Sequence, residues 1–174
     1  MKKAQRSISL IGFMGTGKTT IGRALANSLR RDFIDTDSLI EERVGKSISR
    51  IFSEDGELFF RDIEAQIVKE VCGYRSSVLA LGGGAILNPK SAIIVKRSSA
   101  VVLLRSSVET IISRTSSNRL RPLLDVAVGD LVQRVVALLA EREAAYSEAM
   151  DIEVQTDALS VGEVVSEILR RLEI

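Results

Sequence analysis

The stretch Ile8-Ser9-Leu10-Ile11-Gly12-Phe13-Met14-Gly15-Thr16-Gly17-Lys18-Thr19 decides the architecture. Its opening apolar run reads as a short buried strand that breaks at Gly12. Residues 12–19 fit the pattern G-x-x-x-x-G-K-[ST] at every position, and Ile21, Leu25 and Leu29 then follow with helical spacing. Strand, glycine-rich turn and helix in that order form the context the pattern requires. Glycines let successive backbone N–H groups point inward at phosphate oxygens, at the positive end of a helix. Lys18 supplies a mobile charge for the outer phosphates, and Thr19 offers a hydroxyl to a Mg²⁺ bridging the β and γ groups. An ordinary glycine turn is the alternative, but a chance match in such a chain is on the order of one in a hundred at average glycine usage. The stretch therefore reads as a nucleoside triphosphate site, with Gly15, Thr16, Gly17, Lys18, Thr19 and Thr20 around the phosphates.

Outward from this loop, short apolar runs alternate with longer helical patterns. Strands are expected at Phe33-Ile34, Val78–Leu81, Val101–Leu104 and Ile152–Val154. Helices are expected from about Ser38 to Val44, Ser47 to Ser53, Glu57 to Cys72, Ser107 to Thr115, Asp130 to Met150 and Val161 to Leu172. Asn88-Pro89 is a helix-start signal, a cap residue followed by proline in the first turn. Ser116 to Gly129 contains Pro122 and has no clear period, so it reads as a loop. Strands alternating with helices imply crossover connections, hence a single α/β layer fold with a largely parallel sheet.

Composition narrows the chemistry. The chain has 174 residues, enough for one domain, and is 45% hydrophobic and 27% charged, a globular balance. A formal net charge of +1 argues against a protein built to grip nucleic acid. The absence of histidine excludes a Ser-His-Asp triad, a histidine base and histidine-ligated zinc, and the lone Cys72 excludes an internal disulfide. Apolar runs fall well short of the roughly 18 residues of a membrane span, and no signal peptide is evident. A soluble cytoplasmic protein working through carboxylates, Lys, Arg and backbone amides is expected.

Four further features stand out. Asp35 and Asp37 close a strand, where residues two apart point the same way. They can divide metal support and proton acceptance between them, or simply cap the next helix. Gly82-Gly83-Gly84 follows a strand where a parallel sheet places its ligand crevice, and reads either as amides approaching a substrate or as a flexible strand exit. Arg61, with Glu64 three residues on, reads as a ligand arginine or a surface ion pair. Arg142, in Glu141-Arg142-Glu143, reads by itself as part of a solvated helix face.

Taken together, these pieces resemble the shikimate kinases. The resemblance rests on Gly12 to Thr19, Asp35-Thr36-Asp37, Phe60-Arg61 through Glu64, Gly82 to Gly84, Arg121-Pro122-Leu123-Leu124, and Glu141-Arg142 with Tyr146, and runs from about Ser7 to the C-terminus. It implies a five-stranded parallel sheet flanked by helices, in one domain over 1–174 with a mobile lid at about 114–128. It implies transfer of the ATP γ-phosphoryl group, with Mg²⁺, to the 3-hydroxyl of shikimate, on the path to chorismate and the aromatic amino acids. By position, Asp37 would hold the reacting hydroxyl and Asp35 the metal's water shell. Arg61, Arg142 and the Gly82–Gly84 amides would bind shikimate, Arg121 in the lid would reach the phosphates, and Arg114 would lie near the adenine. Ala144-Ala145 departs from a frequent Pro-Leu, and Thr156 to Ser160 carries no arginine, so the base contacts differ from some members. A cytoplasmic monomer with no nucleic-acid or membrane partner is implied.

The rival enzyme is a small polyhydroxy-acid kinase of the gluconate-kinase kind, which shares the phosphate loop but not the acceptor pieces. A nucleotide-dependent switch is the rival from another class, but the chain contains neither N-K-x-D nor D-x-x-G. The two arginines separate kinetically. Arg142 on an unchanging carboxylate contributes equally to ground and transition states, so Arg142→Ala should chiefly raise the KM for shikimate. Arg121→Ala should chiefly lower kcat, because a lid contact to phosphate strengthens toward the transition state. Steady-state kinetics on both variants checks this, and the reverse pattern would exchange the two roles.

Overall fold

Strand β1 (Ser7–Ile11) is buried along its whole length and occupies the centre of a five-stranded sheet. With β2 (Phe33–Asp35), β3 (Val78–Ala80), β4 (Ser99–Arg105) and β5 (Ile152–Gln155), the order is β2-β3-β1-β4-β5. Every pairing is parallel, with Ile8 opposite Val78 on one side and Ala100 on the other. The computed structural model describes residues 6–115 and 130–174. The stretch Ser116 to Gly129, expected as a loop, lies outside them.

Parallel neighbours need crossovers, and helices supply them. In chain order they are α1 (Lys18–Leu29), α2 (Thr36–Val44), the single turn α3 (Ile48–Arg50), α4 (Gly56–Val71), α5 (Pro89–Ser98), α6 (Val108–Thr115), α7 (Leu131–Ala149) and α8 (Val161–Leu172). The Asn88 signal is real: its side chain accepts from the Lys90 and Ser91 amides, with Pro89 in the first turn. Ser160 and Glu163 close a reciprocal capping box on α8. One expectation needs correction. Ser47 to Ser53 is not one regular helix, because α3 widens into a π-helical turn over Ile51–Asp55.

Alternation along the strands divides the core between the two faces of the sheet. Ile8, Leu10, Val102 and Leu104 pack with Ile21 and Leu25 of α1 and Val164 and Ile168 of α8. Ile11, Val101 and Leu103 face the opposite way, toward Ile67 of α4, Val95 of α5 and Tyr146 of α7. A third cluster joins Phe13 and Met14 to Ile111 of α6 and Leu138 of α7, so the turn after β1 rests on an apolar bed. Because β1 is flanked by β3 and β4 while the chain visits β2 first, the crevice opens beyond the carboxyl end of β1.

Gly22 lies inside α1, where a Cβ would run into the Phe33 ring of β2. Gly→Ala within a helix ordinarily stabilises by about 1 kcal/mol. Here overpacking reverses the sign, and Gly22→Ala should cost about 1–3 kcal/mol in urea unfolding.

Candidate active site at the carboxyl edge of the sheet

The loop after β1 starts at Gly12, whose φ of 138° and close approach to the Leu104 carbonyl leave no room for a side chain. It ends at Gly17 (φ 93°), which caps α1 without a side-chain hydrogen bond. The positive end of α1 is thereby offered to an anion. Lys18 Nζ donates to the Gly12 and Phe13 carbonyls at 2.8 and 2.9 Å, which holds the ammonium across the loop. Thr16 is buried and donates to the Phe13 carbonyl at 2.8 Å, so its hydroxyl shapes the loop from inside. Gly15, Gly17, Lys18, Thr19 and Thr20 line the cavity. Arg114 reaches the rim, donating to the Gly15 carbonyl at 3.1 Å and to the Ser106 and Thr156 hydroxyls at 3.3 Å each.

Thr19 Oγ1 donates to Asp35 Oδ2 at 2.7 Å, which brings a hydroxyl and a carboxylate together beside the loop. These hard oxygens suit Mg²⁺, which usually takes few protein ligands and completes its octahedron with phosphate oxygens and water.

The aspartates do not sit as two residues of one extended strand. Asp35 is extended (φ −109°, ψ 118°), but the chain turns into α2 at Thr36, which places Asp37 in the helix's first turn. The capping alternative is realised, since Asp35 Oδ1 accepts from the Asp37 and Ser38 amides at 3.0 and 3.4 Å. Its two oxygens serve different purposes, one for the helix and one for Thr19. Asp35 and Asp37 both line a cavity of about 660 Å³ shared with the phosphate loop.

Arg61 from α4 and Arg142 from α7 reach the same cavity. Arg142 is not on a solvated face: it is 2% exposed, its guanidinium lies over the Phe13 ring, and its Nη1 donates to the Gly83 carbonyl at 3.2 Å. Among the described residues its buried Nε has no hydrogen-bond partner. The Arg142 guanidinium nonetheless lines the cavity, where a fork of this kind suits a carboxylate ligand. Arg61 pairs with Glu64 at 2.7 Å and Glu57 at 3.1 Å, and this is no surface pair, because Glu64 is buried. Burial pushes the Glu64 carboxyl above its ordinary range; Arg61 opposes that shift and the nearby Asp37 charge adds to it.

The glycine triplet explains how these charges fit. A Cβ on Gly82 would lie 2.7 Å from both Asp37 Oδ1 and Glu64 Oε1. On Gly83 it would meet Arg142 Nη1 at 3.4 Å, and on Gly84 it would meet Arg61 Nη1 at 2.5 Å. Each glycine makes room for different charged groups. Of the three amides expected to face a ligand, that of Gly82 is engaged within the protein, donating to Thr36 Oγ1 at 2.9 Å. Gly83 and Gly84 do line the cavity.

In the sequence Glu64 shows only as an ion-pair partner of Arg61 and Tyr146 only as a motif letter, yet Tyr146 is buried and donates to the Gly83 carbonyl at 2.7 Å. Burial raises the phenol's pKa, which keeps it a donor. Ile48 and Phe52, which belong to no motif, join Phe60 in an apolar wall of the cavity. Arg121 and most of the expected lid lie outside the described residues.

Residues 14–173 match the family described as Shikimate kinase. The chain is 42% identical over 179 residues to a shikimate kinase of Chlorobium chlorochromatii, covering 99% of this chain and 94% of the relative. It is 41% identical to one of Geobacter sulfurreducens, covering 94% and 88%. Among solved structures, a shikimate kinase from Acinetobacter baumannii in complex with shikimate superimposes with a TM-score of 0.94 at 35% identity, covering 98% of this chain and 94% of that one. A gluconokinase from Sinorhizobium meliloti shares the fold alone, with a TM-score of 0.60 at 19% identity over 97% and 91% of the chains.

The backbone at Gly84 (φ −109°, ψ −2°) is open to any residue, so Gly84→Ala tests the Arg61 contact without backbone strain. Displacing the guanidinium should weaken binding of an acidic acceptor about tenfold, at the low end for hydrogen bonds to charged groups. Isothermal titration checks this, with a thermal melt to show that the fold is retained.

Proposed function

This chain belongs to the shikimate kinase family, and we propose that it transfers the γ-phosphoryl group of ATP to the 3-hydroxyl of shikimate, a step toward chorismate and the aromatic amino acids. The observation that carries the reading is the cavity itself. A phosphate loop opens into a chamber where two guanidinium groups and two carboxylates meet over a glycine floor. Shikimate is a small carboxylate with three hydroxyls, and guanidinium forks match a carboxylate while carboxylates orient hydroxyls.

Each residue then has a role. Lys18 and the amides around Gly15, Gly17 and Thr19 bind and neutralise the phosphates of ATP. Thr19 and Asp35 would hold Mg²⁺, which when bound offsets charge on the β and γ groups and helps align them. Arg142, at the cavity wall, binds the shikimate carboxylate together with Arg61. Asp37, on the first turn of α2, orients the acceptor hydroxyl and takes its proton. Glu64 holds Arg61 at 2.7 Å in its binding orientation. Arg114 serves the nucleotide side of the rim, and Arg121, in a lid at about 114–128, completes the phosphate contacts on closure.

The same reading makes the protein a cytoplasmic monomer without nucleic-acid or membrane partners, in keeping with its formal net charge of +1. Among the described residues no helix is long and apolar enough to cross a membrane. The gluconate-kinase alternative has a likeness of fold to support it and nothing from the acceptor side.

The direct test is incubation with ATP, Mg²⁺ and shikimate, with the product identified as shikimate 3-phosphate. Turnover should stop with a chelator and return with added Mg²⁺; an equal rate on gluconate would overturn the acceptor assignment. Asp37→Asn keeps the shape of the side chain and removes its charge, and kcat should fall about a hundredfold or more, as for loss of a general base. A variant that kept most of its kcat would remove Asp37 from both of its roles.

A further inference from the structure

The Gly82–Gly84 turn is held from two sides. From α7, Tyr146 Oη and Arg142 Nη1 both donate to the Gly83 carbonyl, at 2.7 and 3.2 Å. From α2 the holder is Thr36, a fully buried residue. Its Oγ1 accepts from the Gly82 amide at 2.9 Å and donates to the Ala80 carbonyl at 3.3 Å. Ala80 ends β3, so this single hydroxyl grips the backbone on both sides of Leu81.

Thr36 also stands between two residues of the site. Asp35 before it meets Thr19 at 2.7 Å, on the phosphate side. Asp37 after it lies against Gly82, where a Cβ would come within 2.7 Å of its Oδ1. The turn bearing both aspartates and the turn forming the acceptor floor belong to different strands, β2 and β3. Their register at this edge depends on Asp35 opposite Ala80 and on the Thr36 hydroxyl beyond it.

We propose that Thr36 is a positioning residue for phosphoryl transfer: its hydroxyl fastens the Asp35–Asp37 turn to the Gly82–Gly84 floor and so fixes the acceptor hydroxyl relative to the phosphate side. The inference rests on the functional reading above. Its physical weight comes from the steep dependence of reaction on alignment, where a misplacement of about 1 Å can cost about a hundredfold in rate. The ordinary alternative is that Thr36 is buried to fill space, with its hydroxyl merely satisfied.

The two readings rank substitutions in opposite orders. Thr36→Val keeps the volume and leaves the Gly82 N–H buried without its partner. Thr36→Ser keeps the hydroxyl and removes a methyl group. Positioning predicts that kcat per folded molecule drops about 10- to 100-fold in Thr36→Val, while the KM for ATP stays within about twofold. Thr36→Ser should retain at least about a third of the kcat, and Thr36→Cys, a weak hydrogen-bonding group, should fall between them. Space filling predicts the reverse, with Val close to wild type and Ser impaired, and that result would overturn the proposal. If circular dichroism shows that Thr36→Val does not fold, the Ser and Cys variants decide: Ser clearly above Cys supports positioning, and equal kcat values sink it. Wild-type protein in the same assay keeps the two levels apart. Absence of shikimate phosphorylation there would refute the functional reading, whereas an active wild type matched by Thr36→Val would refute only the role of Thr36.

Discussion

The close approach of Gly12 to the Leu104 carbonyl anchors the site. Only a residue without a side chain fits between β1 and β4 at that point, and its positive φ turns the chain out of the sheet just where the crevice opens. From there the loop settles onto Phe13, Met14 and Ile111, and α1 leaves with its positive end toward the cavity. The acceptor side is assembled around this turn. Phe13 carries the Arg142 guanidinium, and the Gly83 carbonyl beside the loop fixes the same arginine from below.

Grouping charges in a half-closed cavity carries a desolvation cost that pairing must offset. Glu64 shows the balance: burial and the Asp37 charge favour its neutral form, and the Arg61 guanidinium works against both. Arg61 gains from the arrangement, since Glu64 and Glu57 outweigh the effect of burial and raise its pKa. Arg142 is offset differently, by an aromatic face, the Gly83 carbonyl and the charge of buried Glu64. One arginine is thus held in direct ion pairs with protein carboxylates, while the other rests on an aromatic ring and a backbone carbonyl.

The fold was largely legible because its signals are local. Apolar runs, the Asn88-Pro89 start and the glycine loop each declare an element within a few residues, and the strands and helices fall close to those limits. The errors arose where tertiary context decides. Alternation in a strand is a sound rule until the strand ends, and β2 ends at Asp35, so Asp37 follows helical geometry. Arg142 sits between two acidic residues, a solvent-like pattern, yet it shares a helix face with Tyr146 four positions on, and that face is buried. Taken singly, Arg61 is evenly balanced, the glycines lean toward a ligand role and Arg142 reads as a solvated face; only the set together points to one site. The role of Thr36 was illegible because a threonine between two aspartates carries no signal for a bond to a residue 46 positions away.

The glycine floor has a consequence for inhibition. Resistance to a small molecule usually arises when a wall residue changes size and reshapes the contact. Beneath Asp37, Glu64 and Arg61 that route is obstructed, because a replacement at Gly82 or Gly84 adds a Cβ toward a group the proposed reaction needs. At Gly82 the added carbon would crowd two carboxylates, and at Gly84 it would crowd a guanidinium, at 2.7 and 2.5 Å. A compound that drew its affinity from the Gly83 and Gly84 backbone would rest on atoms common to every amino acid. Escape by a change at Gly84 would push aside the Arg61 guanidinium, which the proposed reaction uses.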